Sequence, residues 1–138
     1  MDRPLTSPNL ETLDRFSFSP DRVDKPWGYE LVWAKTDAYA GKILFIRAGE
    51  ALSLQFHRVK DESWYVLEGR AELELGAVGQ AVTKTEVVAA GAAFHFQPGT
   101  VHRVRAVEDT TILEVSTPEL EDVVRLEDSY GREGTAEP

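Results

Sequence analysis

The stretch GEALSLQFHRVKDESWYVLEG, residues 49–69, decides the fold of this chain. Short runs of apolar and aromatic residues lie on both sides of residues 58–61, a pattern typical of two β-strands joined by a turn. Gln55 and His57 are two positions apart, so their side chains share one face of the first strand. Glu62 begins the second strand and can lie opposite His57 on that face. The stretch therefore predicts that an amide, an imidazole and a carboxylate converge.

The same pattern continues on both sides of this stretch, from Tyr29 to Ser116. Short runs rich in Val, Ile, Leu and aromatic residues are separated by Gly, Asp and Pro at intervals of about ten residues. The predicted strands are YELVWA (29–34), GKILFIR (41–47), ALSLQFH (51–57), SWYVLEG (63–69), RAELELG (70–76), AVTKTEVV (81–88), AAFHFQ (92–97), VHRVRAV (101–107) and TTILEVS (110–116). Many short strands without a long amphipathic helix are typical of barrels and double-sheet proteins, so the predicted fold class is all-β.

Glycine and proline positions predict how the strands connect. We predict a tight hairpin at Gly69 and a second hairpin at Gly76 and Gly79. After Pro118, the segment ELEDVVRLEDSYG (119–131) fits either a short helix or a final strand.

The two ends of the chain differ from the region between them. Residues 1–22 contain several prolines among polar residues, which predicts an extended N-terminal arm with one helical turn around LETLDRF (10–16). Residues 133–138 are predicted to form a C-terminal tail. A single domain over residues 23–132 remains, because the whole chain has too few residues for two comfortable domains.

The composition excludes several classes of function. The formal net charge of −9 disfavours nucleic acid and anionic membranes as partners, because both attract an excess of Lys and Arg. No apolar stretch approaches the roughly 20 residues of a membrane helix, and the first residues lack the apolar core of a signal peptide, so we expect a cytoplasmic protein. The chain has no cysteine, so any metal must take nitrogen and oxygen ligands.

A second histidine joins the polar group of the first strand pair. His102 closely follows a Pro-Gly pair, where a tight turn can aim the start of a strand back at the same pocket. Gln55, His57, Glu62 and His102 together suit one divalent metal ion, with an open position for water or substrate. On spacing alone, a metal site and structural histidines with ordinary hydrogen bonds are equal alternatives.

Two complete motifs resemble those of the cupin superfamily. Residues 49–69 resemble the first cupin motif, with a glycine at each end, and GAAFHFQPGTVH (91–102) resembles the second, with its closing histidine. The resemblance implies a cupin double-stranded β-helix, or jelly-roll barrel, and assigns the metal to the same four side chains. Zinc is the expected ion, with manganese, iron, nickel or cobalt as other choices, because nitrogen and oxygen ligands of this mix suit all five.

Three segments resemble one particular group of cupins. KPWGYEL (25–31), GEALSLQFH (49–57) and VVRLEDSYGR (123–132) resemble the isomerase domain of bifunctional mannose-1-phosphate guanylyltransferase/mannose-6-phosphate isomerases. Gln55 resembles a glutamine of phosphomannose isomerases at the same position of the motif, and this resemblance implies that Gln55 is a metal ligand. The function that the resemblance implies is isomerisation of a sugar phosphate between its aldose and ketose forms.

Two departures from the resembled pattern leave other functions open. Val59 and Ser63 stand where the family has histidines, so a noncatalytic cupin that binds a sugar or a small acid is one alternative. A metal-dependent cupin dioxygenase is the other, although such cupins usually carry three histidines and Gln55 disfavours it. A small barrel with open sheet edges and an apolar outer face is also expected to form a homodimer.

An isomerase of this kind needs a base that carries a proton. Lys42, Lys60 and His95 are the candidate catalytic residues, each useful if burial or a metal ion lowered its pKa. We expect both lysines to be surface amines, because lysines are seldom buried. The phase of its strand decides whether His95 faces the pocket or solvent.

A phosphate group needs cations to hold it. Arg103, Arg125 and Arg132 are the substrate-binding candidates, since a planar guanidinium makes paired hydrogen bonds to phosphate. Arg125 and Arg132 are the stronger two because they belong to the resembled segment at residues 123–132. Salt bridges with the neighbouring Glu127 and Asp128 are the alternative role.

Overall fold

The computed structural model describes residues 6–7 and 17–135, and these residues form two six-stranded antiparallel sheets. The strands are β1 (Asp21–Lys25), β2 (Gly28–Lys35), β3 (Ala40–Ile46), β4 (Leu54–Phe56), β5 (Glu62–Glu68), β6 (Arg70–Ala77), β7 (Lys84–Ala89), β8 (Ala93–Phe96), β9 (Thr100–Ala106), β10 (Thr110–Ser116), β11 (Val124–Glu127) and β12 (Gly134–Thr135). The described ranges contain no helix, and therefore none long and apolar enough to cross a membrane. The predicted all-β double-sheet fold is confirmed.

The order of strands places β10 near the middle of one sheet and β9 near the middle of the other. The first sheet runs β1-β2-β3-β10-β5-β8, and the second runs β12-β11-β4-β9-β6-β7. The main core contains Ile46, Val66 and Ile112 from the first sheet and Leu73 and Val104 from the second. Full burial of each such side chain contributes about 1.5–3 kcal/mol, so this layer holds the two sheets together.

The connections at Gly69 and at residues 58–61 differ from the predicted hairpins. Strand β5 pairs with β8 and β10, whereas β6 pairs with β7 and β9, so Gly69 carries the chain from one sheet to the other. Residues 58–61 likewise connect β4 of the second sheet to β5 of the first. The prediction of a hairpin at Gly69 is wrong. A glycine between two strands predicts a turn equally well whether the strands pair with each other or lie in different sheets. The hairpin at Gly76 and Gly79 is confirmed by the pairing of β6 with β7.

Replacement of Gly69 by alanine is expected to lower the free energy of unfolding by about 2–4 kcal/mol. Its φ is +96°, and an added Cβ would lie 2.3 Å from the carbonyl oxygen of Asp109. Gly91 is the matched control, because its φ is +94° but an added Cβ meets no atom of the described residues within 4 Å. Urea denaturation of both alanine variants measures the difference, and equal destabilisation would contradict this steric account.

Strands at both ends of the chain extend the two sheets. Strand β1 begins at Asp21, inside the region predicted as an arm, and pairs with β2. The segment predicted as either a helix or a strand forms β11, which places Arg125 beside Gln55 of β4. Strand β12 lies in the region predicted as a tail and pairs with β11. The helical turn predicted at residues 10–16 lies outside the described residues.

Candidate functional site

A cavity of about 60 Å³ that opens to solvent is lined by residues of both sheets. Its walls come mainly from β1–β5, β10 and β11. The charged lining residues are Lys25, Glu30, Lys42, Lys60, Glu62, Glu114, Arg125 and Arg132. Burying charge is costly unless the charge is paired or meets a ligand, so this cavity is the candidate functional site.

Three buried side chains form a cluster, His57, Glu62 and His102, of which His57 and Glu62 line the cavity. Their candidate ligand atoms all lie within 4.8 Å of one another. His57 Nε2 is 2.8 Å from Glu62 Oε2, and His102 Nε2 is 3.8 Å from Glu62 Oε1. His57 directly follows β4, Glu62 begins β5, and His102 lies on β9, so the cluster joins the two sheets. The structure therefore brings these three predicted residues together, although not within one strand pair.

Backbone carbonyl groups orient both histidines. His57 Nδ1 lies 2.5 Å from the carbonyl oxygen of Asp122, and His102 Nδ1 lies 2.9 Å from that of Thr100. A carbonyl oxygen only accepts hydrogen bonds, so each Nδ1 carries a proton and donates. In a neutral ring this leaves the lone pair of each Nε2 available to a metal.

Asp122 also fixes the loop that carries His57. Its carboxylate accepts the backbone N–H groups of Arg58, Val59 and Lys60 at 2.7–3.1 Å. Partial burial would raise the pKa of Asp122, but these hydrogen bonds outweigh it and lower that pKa. The carboxylate therefore stays ionised, and the loop between β4 and β5 is held in one conformation.

The cluster fits a divalent cation. Within residues 17–135, His57 Nε2 and His102 Nε2 are buried and make no well-aligned hydrogen bond. A buried polar atom without a partner costs about 1–3 kcal/mol, and one cation would satisfy both atoms. Burial lowers the pKa of His102, which keeps its ring in the neutral form that binds metals. Two imidazoles and a carboxylate suit zinc, manganese, iron, nickel or cobalt, and the donor set does not select among them.

Gln55, the fourth predicted ligand, also lines the cavity. It pairs in register with His102 across β4 and β9, so the two residues are neighbours. Its Oε1 accepts a hydrogen bond from Ser53 Oγ at 3.1 Å, which orients the side-chain amide. The placement suits a metal ligand, and that role remains a prediction.

Lys60 lies between Glu62 and a carboxylate that the sequence did not single out, Glu114. Its Nζ is 3.2 Å from Glu62 Oε2 and 3.2 Å from Glu114 Oε2. Burial would lower the pKa of Lys60, but the two carboxylates outweigh it and raise that pKa. Burial, and next the charge of Glu62, raises the pKa of Glu114. Lys60 therefore stays an ammonium, while Glu114 is the more readily protonated carboxyl of the pair.

Two further lysines share a single carboxylate in the same cavity. Lys42 Nζ lies 3.0 Å from Glu30 Oε1, and Lys25 Nζ lies 3.9 Å from the same oxygen. Lys42 and Lys60 are each 5 % exposed, so the expectation that both are surface amines is wrong. The pairing of β2, β3, β5 and β10 supplies carboxylate partners that are distant in sequence, which is why both amines are buried.

Two predicted site residues do not line the cavity. The side chain of His95 is 60 % exposed, because Phe96 takes the inward position on β8, and His95 Nε2 contacts Asp61 Oδ1 at 2.6 Å. Arg103 pairs with Glu74 and Glu127. The structure therefore argues against His95 as the base and against Arg103 as a phosphate ligand.

Arg125 and Arg132 do line the cavity, as a phosphate-binding role requires. Asp128 holds Arg132 through contacts of 2.9 and 3.0 Å to Nε and Nη2. Burial and the charge of Arg132 lower the pKa of Arg125, so two guanidinium groups lie near each other.

Sequence reasoning did not identify Lys25, Glu30 and Glu114 as site residues. Glu114 interrupts the apolar run TTILEVS, and Glu30 interrupts YELVWA. A charged residue in the middle of a strand that is otherwise apolar was the available signal, because such a residue must find a partner inside the protein. Lys25 gave no comparable signal, since it lies at the end of an edge strand.

Comparison with known proteins agrees with this architecture. The family model described as Cupin domain matches residues 42–116, more than half of the chain. The crystal structure of the capsular polysaccharide assembling protein CapF from Staphylococcus aureus superposes with a TM-score of 0.68 at 15 % sequence identity, covering 82 % of this chain and 33 % of that one. At this identity the likeness concerns the fold alone.

Curated relatives include sugar-phosphate enzymes. Mannose-1-phosphate guanylyltransferase 2 of Escherichia coli O157:H7 is 30 % identical over 117 residues, which are 80 % of this chain and 23 % of that protein. The Xanthan biosynthesis protein XanB of Xanthomonas campestris pv. campestris is 28 % identical over 116 residues, or 80 % of this chain and 24 % of that one. This chain therefore spans about a quarter of the length of these relatives.

Proposed function

The chain belongs to the cupin family, and we propose that it is a metal-dependent sugar-phosphate isomerase of the mannose-6-phosphate isomerase type. The observation that carries the proposal is the buried cluster of His57, Glu62 and His102 at a cavity rich in cations. In this proposal Gln55 is the fourth ligand of one divalent ion. Zinc is the first choice for that ion, and manganese, iron, nickel and cobalt are the others.

A sugar phosphate is the substrate class that the comparisons support. The relative from Escherichia coli carries mannose 1-phosphate in its name. Two segments that resemble the isomerase domain, residues 25–31 and 123–132, contribute Lys25, Arg125 and Arg132 to the cavity. Interconversion of mannose 6-phosphate and fructose 6-phosphate is therefore the reaction to test first.

The isomerisation moves one proton from C2 to C1 of the sugar and one from the C2 hydroxyl to the C1 oxygen, through an enediol-like state. A divalent ion held by His57, Glu62 and His102 would supply a Lewis acid for the negative charge that develops on the sugar oxygens. In this proposal the carboxylate of Glu114 takes the proton from one carbon and returns it to the other, because its raised pKa suits proton transfer. Lys60 stays charged and donates hydrogen bonds, so neither it nor exposed His95 takes the role of base.

The two positions that depart from the resembled family pattern, Val59 and Ser63, lie outside the cavity. Val59 is 61 % exposed, and Ser63 pairs in register with His95 on β8. Neither residue lines the cavity of the candidate site. Val59 and Ser63 therefore leave the lining of the cavity as described, which is compatible with the proposed reaction.

Conversion of mannose 6-phosphate to fructose 6-phosphate is expected to stop in the presence of a chelator and to return when a divalent metal is added. Replacement of Gln55 or His102 by alanine is expected to lower kcat/KM by about 100-fold or more, since each would remove a ligand. His95→Ala is the matched control and should retain activity. Activity that ignores the chelator and persists in both ligand variants would contradict the metal mechanism.

The noncatalytic cupin is the second candidate function. The observation that favours it is a cavity with paired charges beside a cluster of candidate metal ligands. Such a cavity can bind a sugar phosphate or a small acid without turnover. Metal-dependent binding of mannose 6-phosphate with no conversion under any tested metal would select it.

A homodimer also remains part of the proposal. Trp33, Tyr65 and Val115 on the first sheet are 37–48 % exposed, which leaves apolar surface that a second copy of the chain can cover.

A further inference from the structure

The carboxylate of Glu62 is contacted by a buried ammonium group as well as by a histidine. Its Oε2 lies 2.8 Å from His57 Nε2 and 3.2 Å from Lys60 Nζ. Its other oxygen, Oε1, lies 3.8 Å from His102 Nε2. A metal held by the two imidazoles and Glu62 would therefore share this carboxylate with the positive charge of Lys60.

Lys60 is held next to the metal cluster and cannot simply turn into solvent. Its side chain is 6 % exposed, and Asp122 accepts a hydrogen bond of 2.9 Å from its backbone N–H. Glu114, which is also buried, places its Oε2 3.2 Å from Lys60 Nζ. Lys60 thus has a carboxylate partner that is not itself a candidate metal ligand.

A divalent ion and an ammonium group on the same carboxylate repel each other. This repulsion is larger in a buried site than in water, because little solvent screens it. Metal binding beside Lys60 therefore costs free energy that it would not cost beside a neutral side chain. The same ammonium stabilises Glu62 before metal binds, because an unpaired buried carboxylate is strongly disfavoured.

We propose that Lys60 is an internal competitor of the metal, which pairs with Glu62 before the ion binds and shifts to Glu114 when it binds. Lys60 thereby lowers the affinity of the site for metal and stabilises the metal-free chain. Glu114 limits the loss of affinity, because it accepts the displaced ammonium. The inference rests on the metal site of the proposed function and requires no isomerase reaction.

Metal titrations of substituted chains test this competition. The full chain is titrated with zinc, manganese, iron, nickel and cobalt in turn, against a chelator of known affinity. Lys60→Met is expected to lower the Kd for the bound metal about tenfold or more, because the competing charge is removed. Lys60→Gln keeps a hydrogen-bond donor and should also lower the Kd, so it replaces Lys60→Met if that variant does not fold. Misfolding would weaken binding and cannot produce this result.

Replacement of Glu114 by glutamine is expected to change the metal affinity in the opposite direction. The ammonium of Lys60 would lose the carboxylate to which it shifts, so the Kd should rise several-fold. In the Lys60→Met background the same replacement should raise the Kd less, because no ammonium remains to be displaced. This difference separates the competition from a general effect of the charge of Glu114.

Lys42→Met and Lys84→Met are the matched controls. Lys42 is as deeply buried as Lys60 but lies 3.0 Å from Glu30, whereas Lys84 is exposed and pairs with Glu86. Each control removes the same charge as Lys60→Met, and both should change the Kd far less.

Three outcomes count against the inference or against the function on which it rests. Lys60 variants that bind metal no more tightly than wild type, or a gain in Lys42→Met equal to that in Lys60→Met, would overturn the inference. A wild-type chain that binds none of the five metals would overturn it together with the proposed metal site. The expected order of Kd values in a protein without isomerase activity would support the inference and count against the proposed reaction alone.

Discussion

Replacement of Lys60 by methionine is expected to lower the free energy of unfolding by about 3–5 kcal/mol, measured with a chelator present. The substitution keeps the length of the side chain but removes the cation that lies 3.2 Å from both Glu62 and Glu114. Both carboxylates are less than 5 % exposed, so neither can recover its hydration when the amine is lost. A fall of roughly 10 °C or more in Tm is the corresponding thermal effect.

Two comparisons separate charge pairing from simple loss of packing. The double variant Lys60→Met with Glu114→Gln should regain at least half of the lost stability, because one of the two carboxylates is neutralised with it. Lys84→Met, which breaks the exposed pair with Glu86, should cost less than about 1 kcal/mol. If Lys60→Met cost no more than Lys84→Met, Lys60 would not bridge the two buried carboxylates.

Replacement of His102 by alanine is expected to abolish stabilisation by divalent metal. A metal at 1,000 times its Kd stabilises a wild-type site by about 4 kcal/mol, because the ion binds only the folded chain. His102 supplies one of three clustered ligand atoms and is fully buried, so its loss leaves too few donors and an open space. Thermal unfolding with and without added zinc or manganese measures the effect.

His95→Ala is the control for this prediction, because the exposed imidazole of His95 is absent from the cluster and pairs with Asp61 instead. Its unfolding should respond to metal as that of the wild type does. A metal-induced shift in Tm that survives in His102→Ala but disappears in His95→Ala would place the ion elsewhere.

The fold was predictable because its signals are local. Short apolar runs rich in β-branched and aromatic residues, YELVWA and TTILEVS, predict strands at the positions where β2 and β10 are found. The connections were harder, since Gly69 has the same turn chemistry whether β5 and β6 pair or lie in different sheets. Strand β1 was also missed. The prolines and polar residues near it predicted an extended arm, and its pairing with β2 is visible only in the folded chain.

The candidate site was predictable only in part. His57, Glu62 and His102 could be named because spacing and motif resemblance converge on them. The buried states of Lys42 and Lys60 could not, because the carboxylates that stabilise them, Glu30 and Glu114, come from other strands and are adjacent only after folding. The position of His95 depended on strand phase, because the sequence alone does not say whether His95 or its neighbours Phe94 and Phe96 face inward.

The central claim is that one divalent metal ion binds at His57, Glu62 and His102. Elemental analysis of protein purified without chelator, repeated after dialysis against zinc, manganese, iron, nickel and cobalt in turn, tests it most directly. We expect about one ion per wild-type chain with at least one of these metals, and almost none in Glu62→Gln. A wild-type chain that neither retains nor takes up any of the five metals would contradict it.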